Sequence, residues 1–293
     1  MNVIEEFCKK YDFPSAAAEY LSDAYKTVLK DKECFGIYSK CVDAYKENYD
    51  FDSEPIFAEI ERMGKAIGIK PYTLDLIYLI SLMPYLKELY DERGIGDDVY
   101  DGLVFELKSK SRECYDVYGY YGIFVAWWTI GFFNLKRFGF ERLQFNKQLF
   151  DRDIECDGFS FKKGDMYILV HIPSGKPLDR DECLKSYKKA YDFYKNDFGG
   201  KPVVFGCYSW LMSSNNPKML PKSSNILKFM SDYKVICDWK DEKNQNLWRI
   251  FNTFELPERI DDLPADTSLR RAVRDWLKKG NIIDIGFGIM TMP

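Results

Sequence analysis

The sequence predicts an α/β (α+β) protein: a helical N-terminal domain, followed by a mixed, mostly antiparallel sheet with flanking helices. Two observations support this fold class. Apolar residues recur at helical spacing over about the first 115 positions. After about position 135 they alternate with period two, and strands then alternate with helical segments. Because 293 residues suit two domains of ordinary size, we place a helical domain at 1–118 and an α/β domain at 119–293.

Helical patterns are clearest in the first domain. Cys34, Ile37, Tyr38 and Cys41 follow the spacing of one buried helical face. The predicted helices cover 15–21, 34–45, 52–68 and 76–83, and a further helix begins at Asp97. The sequence of this domain shows no nucleotide loop, metal spacing or catalytic cluster. We therefore interpret it as a helical packing domain, and a contribution to the shape of a substrate site is the alternative.

Strands dominate the predictions for the second domain. Phe138 and Phe140 alternate with polar neighbours, as in a half-buried strand. The run 166–172 is nearly all apolar, as expected of a central strand, and we expect it to form a hairpin with 159–161. Further strands are predicted at 202–210, 247–251 and 282–289, and helices at 179–198, 224–233 and 267–279. The stretch 118–134 is ambiguous, and we interpret it as a helical hinge between the domains.

Composition narrows the classes of function. The formal net charge of −4 argues against a nucleic-acid-binding protein, because phosphate binding needs a concentration of Lys and Arg. The charge is uneven: positions 1–115 carry 23 acidic and 15 basic residues, and positions 116–293 carry 23 and 27. A mildly basic second half suits an anionic ligand, although charged side chains on a solvated surface would give the same charge counts. The aromatic content of 17% fits either a tyrosine-rich core or aromatic-walled clefts.

Cysteine and histidine usage predicts a cytoplasmic protein without a metal site. The eight cysteines form no C-x-x-C pair, and the acidic start of the chain does not match a secretory signal, so we expect reduced thiols. His171 is the single histidine of the sequence, which disfavours zinc. The longest apolar stretch, 76–83, is far shorter than the roughly 20 residues of a membrane span.

Several segments together resemble a known family. They are 140–145, 164–178, 207–211, 224–229 and 263–272, and the most distinctive are VHIPSGKPL at 170–178 and SNIL at 224–227. The chain resembles a bacterial acyltransferase family with a helical N-acyltransferase N-terminal domain and a GNAT-like C-terminal domain. The resemblance implies transfer of an acyl group from acetyl-CoA or another acyl-CoA to the amine of a small-molecule or peptide acceptor. Together with the composition, histidine usage and apolar-stretch arguments above, the expected partners include no metal, nucleic acid or membrane.

The resemblance also implies catalytic candidates. His171 ends an apolar strand where a GNAT domain splits its sheet around the acyl group, and a neutral imidazole there can remove the proton of the incoming ammonium. Tyr208 or Ser209 on the next strand can donate a proton to the departing CoA thiolate. For His171, the alternative is a hydrogen-bonded structural histidine at the end of a strand.

CoA-binding candidates lie mainly in one loop. GNAT enzymes carry a Gln/Arg-x-x-Gly-x-Gly/Ala loop, whereas positions 172–177 read Ile-Pro-Ser-Gly-Lys-Pro. We predict that Ile172, Ser174, Gly175 and Lys176 bind CoA there, with help from the following helix N-terminus. A plain structural turn is the alternative. Asn225, at a helix start, is a further candidate for contact with the pantetheine arm.

Three more residues are predicted to line the substrate cleft: Cys207, Trp210 and Arg142. Cys207 is also a conceivable nucleophile, although direct transfer is the usual GNAT route and favours a buried structural thiol. Two other classes of function stay open: a non-catalytic CoA- or metabolite-binding protein on the same fold, and an interaction protein whose acidic helical half binds a partner. The sequence leaves the acceptor, the acyl length and the oligomeric state undetermined.

Overall fold

The computed structural model describes residues 2–156, 158–243 and 245–293. The chain folds into two compact units, and the boundary between them falls between Phe138 and Gly139. The predicted boundary after residue 118 differs from this division, because the helix Ala126–Phe133 packs against helices of the first unit. Much of the stretch that we interpreted as a hinge is therefore a helix of the first unit.

The described part of the first unit is built mainly of helices. They are α1 (Val3–Lys10), α2 (Ser15–Lys30), α3 (Lys32–Glu47), α4 (Ser53–Ala66), α5 (Pro71–Glu92), α6 (Asp97–Tyr118) and α7 (Ala126–Phe133). Acidic side chains begin two of them: Asp31 accepts the backbone N–H of Cys34, and Asp52 accepts that of Glu54. Such caps satisfy N–H groups that have no partner within the helix. α1 lies outside the predicted helices.

α5 is the most deeply buried helix of the first unit. Its residues from Leu76 to Met83 are all buried, as expected of a helix without a polar face. Tyrosines of α3 and α5 bond across the core: the Tyr38 hydroxyl donates to Ser81 Oγ at 2.6 Å, and the Tyr78 hydroxyl donates to the Cys41 carbonyl at 3.1 Å. A buried hydroxyl needs such a partner, so these bonds help to fix the helices against each other. Among the described residues, every helix is too short or too polar to span a membrane.

The strands form one large sheet and one small one. They are β1 (Arg137–Phe140), β2 (Leu143–Leu149), β3 (Ile154–Cys156), β4 (Phe159–Phe161), β5 (Met166–His171), β6 (Val203–Ser209), β7 (Lys234–Trp239) and β8 (Ile285–Met292). The large sheet has the order β1-β2-β5-β6-β8-β7. β5 and β6 are parallel, whereas the pairs β2–β5, β6–β8 and β7–β8 are antiparallel. The predicted fold class, with a mixed and mostly antiparallel sheet, is confirmed.

Helices and aromatic side chains cover the two faces of this sheet. The helices are α8 (Arg180–Tyr194), α9 (Asn216–Met219), α10 (Asn225–Met230), α11 (Leu247–Phe251) and α12 (Ser268–Lys278). Tyr187 of α8 packs on one face, with its ring 5.8 Å from that of Phe205. On the other face, Tyr167 and Phe287 form an apolar cluster that also includes residues of the β3–β4 hairpin.

The predicted hairpin between 159–161 and 166–172 is wrong. β4 pairs with β3 in the small sheet, and β5 pairs with β2, with His171 opposite Gln144. The β3–β4 hairpin is an insertion between two strands that are neighbours in space. Backbone hydrogen bonds close its base, from Phe150 N to the Asp165 carbonyl and from Gly164 N to the Phe150 carbonyl.

The prediction for 247–251 is also wrong, because this segment is the helix α11. Its apolar run fits a buried helix as well as a buried strand, and periodicity cannot distinguish the two over five residues. In the folded protein its apolar side chains pack with Val273 and Leu277 of α12, and this tertiary packing favours the helix over a strand. The strand beside β8 is β7, whose register with β8 shifts between Val235 and Cys237. β7 lies outside the predicted strands.

Gly286 of β8 provides a test of this packing. A Cβ atom there would lie 2.2 Å from the Met212 carbonyl oxygen, whereas a Cβ at Gly139 of β1 would have its nearest neighbour at 3.7 Å. We expect Gly286→Ala to lower the free energy of unfolding by about 1–3 kcal/mol, because backbone atoms must move apart. Gly139→Ala is the matched control, with an expected change of less than about 1 kcal/mol. Urea unfolding of both variants measures the difference, and equal effects would contradict the packing described here.

Candidate active site

The parallel pairing of β5 with β6 is short. Its register in the described chain runs over two positions, Ile168 opposite Phe205 and Leu169 opposite Gly206. On their outer sides both strands continue further: β5 pairs with β2 as far as His171, and β6 pairs with β8 as far as Ser209. The two strands therefore separate towards their carboxyl ends, and we call the space between them the β5–β6 opening. Openings at the carboxyl ends of parallel strands are frequent ligand sites.

His171 and Tyr208 lie at the same level on the two sides of the β5–β6 opening. Each follows the last paired position of its strand by two residues, and residues two apart in a strand share a face. Leu169 and Val204 belong to one apolar cluster, so His171 and Tyr208 project from that face of the sheet. Tyr208 is 53% exposed, and its ring lies 5.3 Å from that of Trp239. A partly buried imidazole and an exposed phenol thus flank the opening.

The sheet face is closed next to this opening. A Cβ atom at Gly206 would lie 2.7 Å from the Tyr167 ring and 3.0 Å from the Phe287 ring, so both rings rest on the glycine backbone. The Tyr167 ring also stacks on that of Phe150, with the centroids 4.5 Å apart. Burial raises the pKa of Tyr167 to about 12, so its phenol stays neutral. These rings form an apolar boundary and take no part in proton transfer at neutral pH.

Asn146 of β2 orients the imidazole. Its Oδ1 lies 2.6 Å from Nε2 of His171, and its Nδ2 donates to the Lys147 carbonyl at 3.0 Å. Because the amide nitrogen is engaged in this way, we assign the oxygen to the imidazole contact, and Nε2 then carries the hydrogen. In the neutral ring the lone pair is on Nδ1. Sequence reasoning missed Asn146, since its relation to His171 depends on the pairing of β2 with β5.

The loop after β5 connects the β5–β6 opening to α8. Gly175 has φ +89°, a conformation that glycine adopts readily. Ser174 is partly buried and Lys176 is exposed. The Asp179 carboxylate accepts the backbone N–H groups of Asp181 and Glu182, which are themselves acidic first-turn residues of α8. This negative charge disfavours an anion at the α8 N-terminus, which was part of the predicted phosphate site.

Arg142 supports the loop from within the protein. It is 6% exposed, and its guanidinium donates to the Pro177 carbonyl at 2.8 Å through Nε and to the Lys176 carbonyl at 2.9 Å through Nη2. The backbone N–H of Arg142 donates to Ser186 of α8. The prediction placed Arg142 on a substrate cleft, whereas this structure places it beneath the 172–178 loop, where it holds the loop against α8.

Two other predicted cleft residues lie in the core. Cys207 is fully buried, and burial raises the pKa of its thiol far above the ordinary value, which is unsuited to a nucleophile. Trp210 is 7% exposed and packs in the cluster that contains Leu247 and Val273. Neither side chain is therefore a cleft wall in this structure.

The remaining predicted residues are separate from the His171–Tyr208 pair. Ser209 projects from the opposite face to Tyr208, and its Oγ accepts the Leu211 N–H at 3.2 Å. Asn225 is exposed at the first position of α10, which is capped by Ser224. Within the described ranges, no group of three His, Cys, Asp or Glu side chains is arranged to hold a metal ion.

Comparisons with known proteins match both units. A family model described as an N-acyltransferase N-terminal domain matches residues 2–135, and one described as a GNAT-like C-terminal domain matches 135–290. No curated protein matches the chain.

Solved structures with a similar fold are acyltransferases. A mutant acyltransferase in complex with octanoyl-CoA has a TM-score of 0.75 and 20% identity to this chain. An acyltransferase in complex with decanoyl-CoA and teicoplanin has a TM-score of 0.71, and one with CoA and 10C-teicoplanin has 0.70, both at 19% identity. Each comparison covers 98% of this chain and 87% of the other. At these identities the likeness shows the fold.

Arg142 gives a test of how the loop is held. We expect Arg142→Met to lower the free energy of unfolding by about 1.5–3 kcal/mol, because two carbonyl groups lose charge-assisted hydrogen bonds. Amide hydrogen exchange at Gly175 and Lys176 should become faster at the same time. Arg152→Met is the control, since Arg152 is exposed and pairs with exposed Asp151. Unchanged exchange in the loop of Arg142→Met would contradict the supporting role.

Proposed function

We propose that this chain, which belongs to the family with an N-acyltransferase N-terminal domain and a GNAT-like C-terminal domain, transfers an acyl group from a CoA thioester to an amine. The observation that carries the proposal is the β5–β6 opening, with His171 and Tyr208 on its two sides. Structural neighbours solved with octanoyl-CoA, decanoyl-CoA and CoA support an acyl-CoA as the co-substrate.

The strand edges at the opening suit the pantetheine arm of CoA. Beyond Leu169 and Gly206, β5 and β6 no longer pair with each other, so their facing edges can bond an inserted chain. An extended chain with amide groups pairs with such an edge as an added strand. The thioester carbonyl would then lie at the level of His171 and Tyr208, and the backbone of Ile172 would continue the β5 edge.

His171 is the proposed general base. The acceptor amine arrives as an ammonium ion, and Nδ1 of the neutral imidazole takes up its proton, directly or through a water molecule. Asn146 acts as a positioning residue, because its bond to Nε2 keeps the lone pair on Nδ1. The amine nitrogen then attacks the thioester carbonyl carbon directly, without a covalent enzyme intermediate.

Tyr208 is the proposed proton donor to the leaving group. When the tetrahedral intermediate collapses, the C–S bond breaks, the amide forms, and the CoA thiolate takes up a proton. The Tyr208 phenol lies on the His171 side of the sheet and is exposed, so it can supply that proton and regain one from solvent. Ser209 lies on the opposite face, and we do not assign it this role.

The loop after β5 is the proposed contact for the CoA phosphates. Lys176 contributes a cation, Ser174 a hydroxyl, and Gly175 allows close approach of the backbone. Asn225 remains a proposed contact for the pantetheine arm. For the acceptor we propose the amine of a small molecule or peptide, which the neighbours solved with teicoplanin or 10C-teicoplanin support.

One observation favours a second function, a non-catalytic CoA- or metabolite-binding protein. The capped and acidic N-terminus of α8 withholds the N–H groups that a pyrophosphate would use, so CoA would be held by the 172–178 loop alone and positioned less firmly for reaction. Such a protein would bind CoA or a related metabolite and leave the thioester intact.

Thermal stability with CoA, acetyl-CoA and octanoyl-CoA, followed by thioester turnover, tests the proposed function. We expect at least one acyl-CoA to stabilise the protein, by about 2.7 kcal/mol at 100 times its dissociation constant. Release of free CoA thiol should then require an added amine, and we would screen small amines and peptides. Stabilisation without amine-dependent thiol release would favour the binding protein. No stabilisation by any of the three at millimolar concentration would overturn the enzyme proposal.

His171 provides the sharpest test of mechanism. We expect His171→Ala to lower kcat by about 10²–10⁴-fold while stabilisation by acyl-CoA is retained, because the base is lost and the binding site is not. Asn146→Ala should lower kcat by less than His171→Ala does and leave stabilisation by acyl-CoA unchanged, since the base is kept but its orientation and tautomer are no longer fixed. Gln148→Ala, an exposed residue on the same strand, is the control. A near-normal rate for His171→Ala would remove the proposed base.

A further inference from the structure

Asp75 is a carboxylate that lacks a hydrogen-bond donor or cation among the described residues. It lies on α5 between the buried residues Leu74 and Leu76 and is itself partly buried. Buried carboxylates in proteins are generally paired or hydrogen-bonded, since desolvation of a charge is costly. Asp75 departs from this rule, and the proposed acyl transfer does not use it.

Three tyrosines surround this region, and we call them the tyrosine cluster: Tyr72, Tyr118 and Tyr120. Tyr72 lies one helical turn before Asp75 on the same side of α5. Its ring centroid is 5.1 Å from that of Tyr118 and 6.3 Å from that of Tyr120. Tyr118 is 39% exposed, and Tyr72 and Tyr120 are partly buried. Ligand-accessible aromatic surface therefore lies close to the carboxylate.

Backbone contacts hold the cluster in place. The N–H of Ile123 donates to the Tyr72 carbonyl at 2.9 Å, and the Thr73 hydroxyl donates to the Tyr121 carbonyl at 2.8 Å. A Cβ atom at Gly122 would lie 2.5 Å from the Tyr72 backbone, so the loop after α6 packs directly on the first turn of α5. Tyr120 is part of this loop, and its position relative to Tyr72 is fixed.

The charged and titratable groups around Asp75 leave a net attraction for a cation. Glu61 of α4 is an exposed carboxylate that interacts with Asp75 and pairs with Lys65 at 2.9 Å. Cys114 of α6 and Tyr120 also interact with Asp75, and burial raises the pKa of each to about 12, so both stay neutral near pH 8. Lys70 lies over the Tyr120 ring at 5.8 Å and forms no ion pair with Asp75.

We propose that Asp75 and the tyrosine cluster bind the ammonium group of an organic amine. The carboxylate accepts hydrogen bonds from the ammonium, and tyrosine faces attract the cation and its hydrocarbon part. A hard metal ion is a poor fit, because it needs several oxygen ligands and one carboxylate supplies two oxygens at most. This site lies within the helical unit and does not depend on the proposed acyl transfer.

Binding at this site should be linked to protonation. Burial raises the pKa of Asp75 to about 8, with a contribution from Glu61. Below that pH the carboxyl is largely protonated, and it must lose its proton to pair with an ammonium ion. Affinity should therefore rise about tenfold per pH unit below pH 8 and level off above it. Binding at pH 7 should release a proton, whereas binding at pH 9 should release almost none.

Isothermal titration of the full chain with phenethylamine, without acyl-CoA, tests the proposal. We expect saturable binding, with proton release detected as a difference in heat between buffers of different ionisation enthalpy. Asp75→Asn keeps the shape of the side chain and should weaken binding at least about tenfold. Glu88→Gln, an exposed carboxylate on the same helix, should bind as the parent does. The neutral 2-phenylethanol should bind much more weakly than the amine.

Each of three results would overturn the site: no saturable binding of phenethylamine at millimolar concentration, equal binding by Asp75→Asn, or equal binding of the neutral alcohol. If Asp75→Asn does not fold, titration of the parent protein tests the proposal by itself. Binding should release a proton at pH 7 and almost none at pH 9. Absence of that difference would also overturn the proposal. Because no acyl-CoA is present, failure here leaves the proposed transferase activity unaffected.

Discussion

The candidate active site depends on one constraint, which is that β5 and β6 pair over two positions and then separate. Each strand is held by its outer neighbour beyond the point of separation, β5 by β2 and β6 by β8. The outer hydrogen bonds prevent the strands from closing on each other. On the face that carries His171, the rings on Gly206 close the adjoining surface. Backbone pairing thus maintains an opening between two otherwise well-packed strands.

Two side chains on the two sides of this opening carry the proposed chemistry. His171 is oriented by Asn146, and the exposed phenol of Tyr208 stands opposite. The buried thiol of Cys207 faces the other side of the sheet. The loop after β5 and the N-terminus of α8 differ in their suitability for an anion, because the Asp179 carboxylate already accepts the first N–H groups of α8. An anionic co-substrate would therefore rely on the loop more than on a helix dipole, which differs from the usual helix-terminus anion site.

The local spacing of apolar residues was sufficient to predict the fold class and the presence of most helices and strands, as the central strand β5 and the long helices α2 to α6 illustrate. It failed where a short apolar run fits two structures, as at α11, and where the chain inserts a hairpin between paired strands, as with β3 and β4. In the first unit, pattern identified α5 as apolar. It did not indicate that the partly buried Asp75 would have no hydrogen-bond donor or cation among the described residues, whereas the Tyr38 hydroxyl bonds to Ser81.

For the site, the sequence by itself determined which residues carry usable chemistry: a single histidine at the end of an apolar strand, a tyrosine near the end of another, and a Ser-Gly-Lys loop between strand and helix. Tertiary structure alone decided which of them meet. Strand pairing brought Asn146 to His171, strand alternation put Tyr208 and Ser209 on opposite faces, and packing buried Arg142, Cys207 and Trp210. The physical reason is that side-chain type is a local property, whereas register, facing and burial arise from contacts between segments distant in the chain.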